Sequence, residues 1–206
     1  MSSKEHWENV YRSKPATGVS WYAPHLGRSL ALVERATGGP GARVIDVGGG
    51  ASTLVDDLLD RGYRNVTVLD LSQEALEVAK ARLDERAAGV TWIAADATTA
   101  PLPEAHYDVW HDRAVFHFLT DAEARRLYVA NVKRAVRPGG RVIVATFGPE
   151  GPERCSGLDI VRYDADALHG EFGTAFVKAD SVREVHITPW GTAQEFVYCF
   201  CLKLGG

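Results

Sequence analysis

Short runs of crowded apolar residues alternate, over most of the chain, with longer stretches that place an apolar residue every three or four positions. The short runs predict strands at Arg43–Val47, Val66–Leu69, Val90–Ala94, Tyr107–His111 and Arg141–Phe147. Between them, a helix is expected from Thr53 to about Asp60, and another from Gln73 to Arg86, where Ala75, Leu76, Ala79 and Leu83 fall on one face. Thr120-Asp121-Ala122-Glu123 reads as a capping box for a helix through Val136, and Arg137-Pro138-Gly139-Gly140 ends that helix and turns into the fifth strand. Strands alternating with helices predict an α/β fold, a doubly wound parallel sheet with crossover helices.

The pattern changes after Phe147. A Gly/Pro-rich stretch, Gly148 to Gly157, leads to a short helix near Asp164–Glu171. Two long β-rich segments follow, about Phe176–Thr188 and Ala193–Lys203, joined through Pro189-Trp190-Gly191 as an antiparallel hairpin. The segment before the first strand is rich in aromatics: Trp7, Tyr11, Trp21 and Tyr22. One domain over 1–206 is expected, with an aromatic-rich cap (1–40), a core (41–147) and a closing helix and hairpin (148–206).

Composition narrows the function classes. With 206 residues, 46% of them hydrophobic, the chain can bury a core without covalent staples. A net charge of −4 and no basic cluster give no reason to expect nucleic acid as the main partner. The first residues are polar and lack the apolar core of a signal peptide, and no later run reaches membrane-spanning length, so a soluble cytoplasmic protein is expected. Three cysteines do not make a disulfide framework or a zinc signature; reduced thiols and no metal are expected.

The densest chemical information lies in Arg43-Val44-Ile45-Asp46-Val47-Gly48-Gly49-Gly50. A strand with an acid near its end runs into a glycine loop that opens a helix, an arrangement that lets backbone approach a nucleoside cofactor closely. A nicotinamide fingerprint asks for a third spaced glycine, and Thr53 stands there instead. Asp46 would face a pyrophosphate unfavourably but suits a cofactor with an ammonium group, such as S-adenosylmethionine. Asp70, ending the second strand, can accept from ribose hydroxyls, and Asp96, past the third, from an adenine amino group; strand-end aspartates also commonly cap turns.

With these motifs, the Tyr107-Asp108-Val109-Trp110-His111-Asp112 strand, the Arg137–Gly140 turn and the closing hairpin, the chain resembles the class I S-adenosylmethionine-dependent methyltransferases. Within that family it is similar to the branch that includes lysine methyltransferases of citrate synthase and elongation factor 1A, through Trp7-Glu8-Asn9-Val10-Tyr11 and Ser20-Trp21-Tyr22. The resemblance implies a single-domain, Rossmann-like sheet of seven strands with the last antiparallel. It implies S-adenosyl-L-methionine as cofactor and S-adenosyl-L-homocysteine as product. The residues expected to hold the cofactor are Trp7, Tyr11, Asp46, Gly48, Gly49, Gly50, Asp70, Leu71, Asp96, Ala97 and Asp112.

Methyl transfer is an in-line displacement in which the protein supplies alignment, desolvation and, where needed, a base. The acceptor site is expected beyond the fourth strand, over Trp110 to Phe118. His111, Asp112 and His117 are the catalytic candidates, and Trp21, Tyr22, Arg113 and His117 the candidates for binding the acceptor. His117 is also readable as a structural histidine between Phe116 and Phe118. The amino-terminal aromatics are readable as a lid or as a helix packed on the sheet edge. The expected activity is methylation of a small-molecule N, O or S nucleophile. A protein lysine is the alternative acceptor, and thiol or metalloid methylation, nicotinamide-dependent redox chemistry and a noncatalytic binding module are further ones.

Overall fold

The computed structural model describes residues 3–205. Its centre is a seven-stranded sheet: β1 (Arg43–Val47), β2 (Asn65–Asp70), β3 (Val90–Ala94), β4 (Tyr107–Arg113), β5 (Val136–Phe147), β8 (Phe176–Ile187) and β9 (Ala193–Lys203), in the order β3-β2-β1-β4-β5-β9-β8. The first five strands are parallel, and β9 runs antiparallel between β5 and the edge strand β8. This is the expected doubly wound sheet with its last strand reversed.

Helices α1 (Ser3–Ser13), α2 (Gly27–Ala36), α3 (Leu54–Asp60), α4 (Gln73–Leu83), α5 (Ala122–Ala135) and α6 (Ala165–Phe172) accompany the sheet. Two apolar clusters form around it. One unites α2 and α3 with Val44, Phe196 and Tyr198, and the other unites α5 and α6 with Ile45, Trp110 and Cys199. Neighbouring residues of β1 and β9 thus divide between the clusters, as the two-residue period of a strand requires. No helix among the described residues is long and apolar enough to cross a membrane.

Several expected boundaries shift. The cap of α5 is Asp121, whose carboxylate accepts from the Ala124 N–H, and not Thr120; a carboxylate at the helix start also suits the local dipole. The helix then ends at Ala135, and Val136 already pairs with Tyr107, so Arg137–Gly140 is an excursion within the strand, after which pairing resumes at Val109 and Arg141. The Gln73 helix gives way to a 3₁₀ segment at Asp84. Helix α2 was not anticipated, although Leu26, Leu30 and Val33 lie on its helical period. A hairpin of β6 (Arg154–Cys155) and β7 (Leu158–Asp159) occupies part of the Gly/Pro stretch.

Candidate functional site

Strand order reverses between β1 and β4, and the crevice beyond their carboxyl ends is where sheets of this kind receive ligands. Four loops meet there, following β1, β2, β3 and β4. Gly48, with φ of 70°, adopts the left-handed region, and a Cβ on it would lie 2.0 Å from Cγ2 of Val115 in the β4 loop. The valine methyl therefore seats itself where a side chain would be. A Cβ on Gly49 would fall 2.4 Å from Asp46 Oδ2, and one on Gly50 would fall 2.6 Å from Asp70 Oδ2 and 2.4 Å from Ala75 Cβ. The loop is glycine because two carboxylates and two methyl groups already occupy its flanks.

Asp46 is buried in β1 and lies 2.7 Å from His111 Nδ1 through Oδ1. Its Oδ2 has no hydrogen-bond partner among the described residues. His111 continues inward: Nε2 is 2.9 Å from Ser29 Oγ, which is 3.2 Å from the Tyr198 hydroxyl, and that hydroxyl donates to Glu184 Oε2 at 3.0 Å. A chain of side chains thus backs the loop acid, crossing from β1 through β4 and α2 to the final hairpin. Both ring nitrogens of His111 are engaged.

Asp70, at the end of β2, accepts from the Gly50 N–H (3.0 Å) and the Ser72 N–H (2.8 Å). Burial outweighs those bonds and pushes its carboxyl up to about 6, with Asp46 and Glu8 adding repulsion. Each oxygen keeps a lone pair for a further donor. Asp96 is exposed in the β3 loop and uses only Oδ1 internally, for the Thr98 backbone N–H and hydroxyl.

A cavity of about 380 Å³ opens over these loops. Its floor carries Gly48, Asp70 and Asp96, and its roof is aromatic. Trp7 of α1 stands 5.7 Å from Trp21 and 5.1 Å from Phe118, ring centre to ring centre, with Tyr11 6.4 Å from Trp21. The roof is pinned by Glu8, which accepts from the Gln73 and Glu74 N–H groups at the start of α4, and by His6, 3.3 Å from Ser156 in the β6–β7 turn. That hairpin closes the far wall with Cys155 and Leu158. Cys155 is buried and its thiol is pushed up to about 12 by desolvation. A smaller recess of about 40 Å³, lined by Asp46, Tyr22 and His111, shares Tyr11, Trp21, Gly48 and Arg113 with the cavity.

The expected cofactor residues Trp7, Tyr11, Gly48, Asp70, Leu71, Asp96 and Ala97 line the cavity, and Asp46 lines the recess. Gly49 and Gly50 shape the loop beneath. Of the expected acceptor residues, Trp21 and Arg113 line the cavity and Tyr22 the recess. Of the catalytic candidates, His111 lines the recess with both ring nitrogens engaged, and Asp112 and His117 line neither space. Asp112 is buried, accepting from Val115 N–H, Phe116 N–H and the Tyr128 hydroxyl, with its carboxyl lifted to about 6 by burial; it fixes the turn after β4. His117 is buried outside the cavity lining, 4.9 Å from the Phe147 ring, with its Nδ1 accepting from the Phe147 N–H at 3.4 Å. Burial, and secondarily Arg113, hold it neutral by pushing it down to about 3. Its Nε2 is buried without a hydrogen-bond partner among the described residues.

Ser29, Tyr198 and Glu8 were not anticipated at the site, nor was the hairpin form of the segment that carries Cys155. The thiols of Cys199 and Cys201 lie 3.1 Å apart in the cluster opposite that of Cys155, so the three sulfurs do not converge. No cluster of metal-ligating side chains occurs among the described residues.

S-adenosylmethionine fits these residues. The unpartnered Asp46 Oδ2 suits an ammonium, Asp70 has acceptor capacity for ribose hydroxyls, and a side chain on the glycine loop would collide with both acids.

Residues 44–140 match the family described as a methyltransferase domain. The eEF1A lysine and N-terminal methyltransferase of Mus musculus is 28% identical over 149 residues, 69% of this chain but 21% of that protein. The chain thus spans about a fifth of the length of such curated relatives. Among solved structures, one described as "Conversion of a Disulfide Bond into a Thioacetal Group during Echinomycin Biosynthesis" aligns with a TM-score of 0.79 at 22% identity, covering 98% of this chain and 93% of that one. The Burkholderia thailandensis 1,6-didemethyltoxoflavin-N1-methyltransferase, with bound 1,6-didemethyltoxoflavin and S-adenosylhomocysteine, aligns with a TM-score of 0.68 at 22% identity, covering 98% and 84%.

Proposed function

We propose, from the match of residues 44–140 to a methyltransferase domain and the likeness to the eEF1A lysine methyltransferases, that this chain is a class I S-adenosylmethionine-dependent methyltransferase and methylates a nitrogen, oxygen or sulfur atom of a small molecule. The observation that carries this reading is the roof. Trp7, Tyr11, Trp21 and Phe118 cover a cavity of about 380 Å³ whose far wall is the β6–β7 hairpin, an enclosure suited to a compact acceptor.

When bound, the cofactor supplies an electrophilic methyl group on a sulfonium. The chain's residues do the rest. Asp46 Oδ2 would accept from the ammonium, Asp70 from the ribose and Asp96 from the adenine amino group, and the aromatic roof would exclude water and narrow the approach of the acceptor. The unbridged thiols accord with a cytoplasmic setting, which belongs to the same proposal.

A screen that reads S-adenosylhomocysteine release tests the reading, with small thiols, phenols, amines and heterocycles in one arm and lysine-containing proteins in the other. Release with small molecules is expected. Release confined to the protein arm would replace this reading with the protein-lysine alternative that the mouse relative suggests.

A further inference from the structure

Arg113 is the last residue of β4, and its side chain is 6% exposed. Its guanidinium is fixed from three sides. Nε donates to the Tyr198 hydroxyl at 3.2 Å, Nη1 donates to the Trp21 carbonyl at 3.2 Å, and the central carbon stands 4.2 Å above the Phe196 ring. These bonds commit two of its five N–H groups. The nearest carboxylate oxygen, Glu184 Oε2, lies 4.0 Å from Nε and already accepts from Tyr198. A buried, immobilised and incompletely neutralised cation therefore forms part of the cavity wall.

The remaining groups at that end are Phe118, Leu119, Cys155 and Leu158, with Thr120 and Asp159 at the margin. Burial holds the Cys155 thiol and the Tyr11 phenol in their neutral forms, and Asp159, though on the lining, is exposed to solvent and engages Arg154 through Oδ1 at 2.8 Å. His111 is engaged at both nitrogens, and His117 is outside the lining. The acids Asp70 and Asp96 belong to the nucleoside floor. A cation without a base disfavours an incoming ammonium and favours an acceptor that has already lost its proton.

Resting on the methyltransferase reading above, we propose that the acceptor enters as an anion, an ionised thiol, phenol or acidic ring N–H, held against Arg113, and that no side chain of the site removes its proton. The proton passes to solvent before binding. The acceptor lone pair then forms the new bond to the methyl carbon as the methyl–sulfur bond breaks, its electron pair remaining on sulfur. The negative charge of the acceptor and the positive charge of the sulfonium are extinguished together. An opposite charge within 4–6 Å typically lowers the pKa of an acid by about 1–3, so Arg113 favours the anion over its neutral form by about tenfold to a thousandfold.

The test uses the full chain saturated with S-adenosylhomocysteine, and calorimetry with para-nitrothiophenolate and its neutral analogue para-nitrotoluene. The anion should bind at least about tenfold more tightly. Arg113→Gln should bring the two affinities together while S-adenosylhomocysteine affinity stays within about twofold, and Arg113→Lys should restore part of the preference. In the unmutated chain, rates with a series of substituted thiophenols should show pH midpoints that follow each thiophenol's own pKa. Equal affinities for the two probes, or one midpoint common to every thiophenol, would overturn the proposal, the latter by revealing a base in the protein. Absence of S-adenosylhomocysteine binding would instead overturn the methyltransferase reading itself.

Discussion

Replacing Asp70 by Asn isolates the energetic cost of the carboxylate that the site keeps for its ligand. Burial lifts the Asp70 pKa from 3.8 to about 6, and the N–H donors of Ser72 and Gly50 only partly offset it. Between those values the native chain binds the proton more tightly than the unfolded chain, so stability falls as pH rises through this window and stays lower above it. A tenfold change in proton affinity corresponds to about 1.4 kcal/mol, which makes the ionised group cost the fold about 3 kcal/mol at neutral pH. Asn carries no charge and removes that dependence. It also turns an N–H₂ towards one backbone donor, a penalty of about 1–3 kcal/mol that does not vary with pH. The decisive quantity is therefore a difference of differences. Urea unfolding followed by circular dichroism, at about pH 4 and about pH 8, should show the variant gaining about 2–3 kcal/mol on the unmutated chain between the two conditions. The buried Asp112 titrates in both proteins and cancels. A stability difference that does not change with pH would refute the desolvated carboxylate. In the same variant, affinity for S-adenosylhomocysteine should fall by about tenfold, since a charged acceptor is lost.

Gly50→Ala places a methyl within 2.6 Å of Asp70 Oδ2 and 2.4 Å of Ala75 Cβ, so it should cost about 1–3 kcal/mol of stability and weaken S-adenosylhomocysteine binding, both checked by thermal shift with and without ligand. Ser29→Ala removes the hydroxyl between His111 and Tyr198 and should lower unfolding free energy by about 1–3 kcal/mol in urea titration; unchanged stability would mean the chain behind Asp46 is not energetically continuous. His117→Phe should leave S-adenosylhomocysteine affinity unchanged. Because the native histidine stays neutral down to about 3 while the unfolded one protonates near 6.5, the unmutated chain should lose about 2–3 kcal/mol between pH 7 and pH 4.5 that this variant retains, as read by urea unfolding.

The floor of the candidate site was legible because its signals are local. A strand, an acid and three glycines sit within a few residues, and of the two later acids Asp70 ends its strand while Asp96 follows the next strand by two residues. The support behind that floor was not legible, since Ser29 and Tyr198 meet across 169 residues and each, read alone, is an ordinary residue in an apolar segment. The hairpin at Arg154–Asp159 has strands of two residues, too short to leave a period. His117 was grouped with His111 by proximity in sequence. The positive-φ turn at Ala114 and the 3₁₀ segment after it separate them, sending His117 against Phe147 while Phe118 faces the cavity.

The place of β9 between β5 and β8 has a consequence in time. A ribosome releases the glycine loop and its acid long before it releases Tyr198. Until β9 inserts beside β5, the Ser29 hydroxyl has no tyrosine to meet and Arg113 lacks both its hydroxyl partner and the Phe196 ring beneath it. Pairings of such sequence separation form slowly, because the intervening chain must be ordered before any contact repays it. The nascent chain can thus display a recognisable cofactor loop while remaining unable to position an acceptor. Competence arrives only when β9 joins the sheet beside β5.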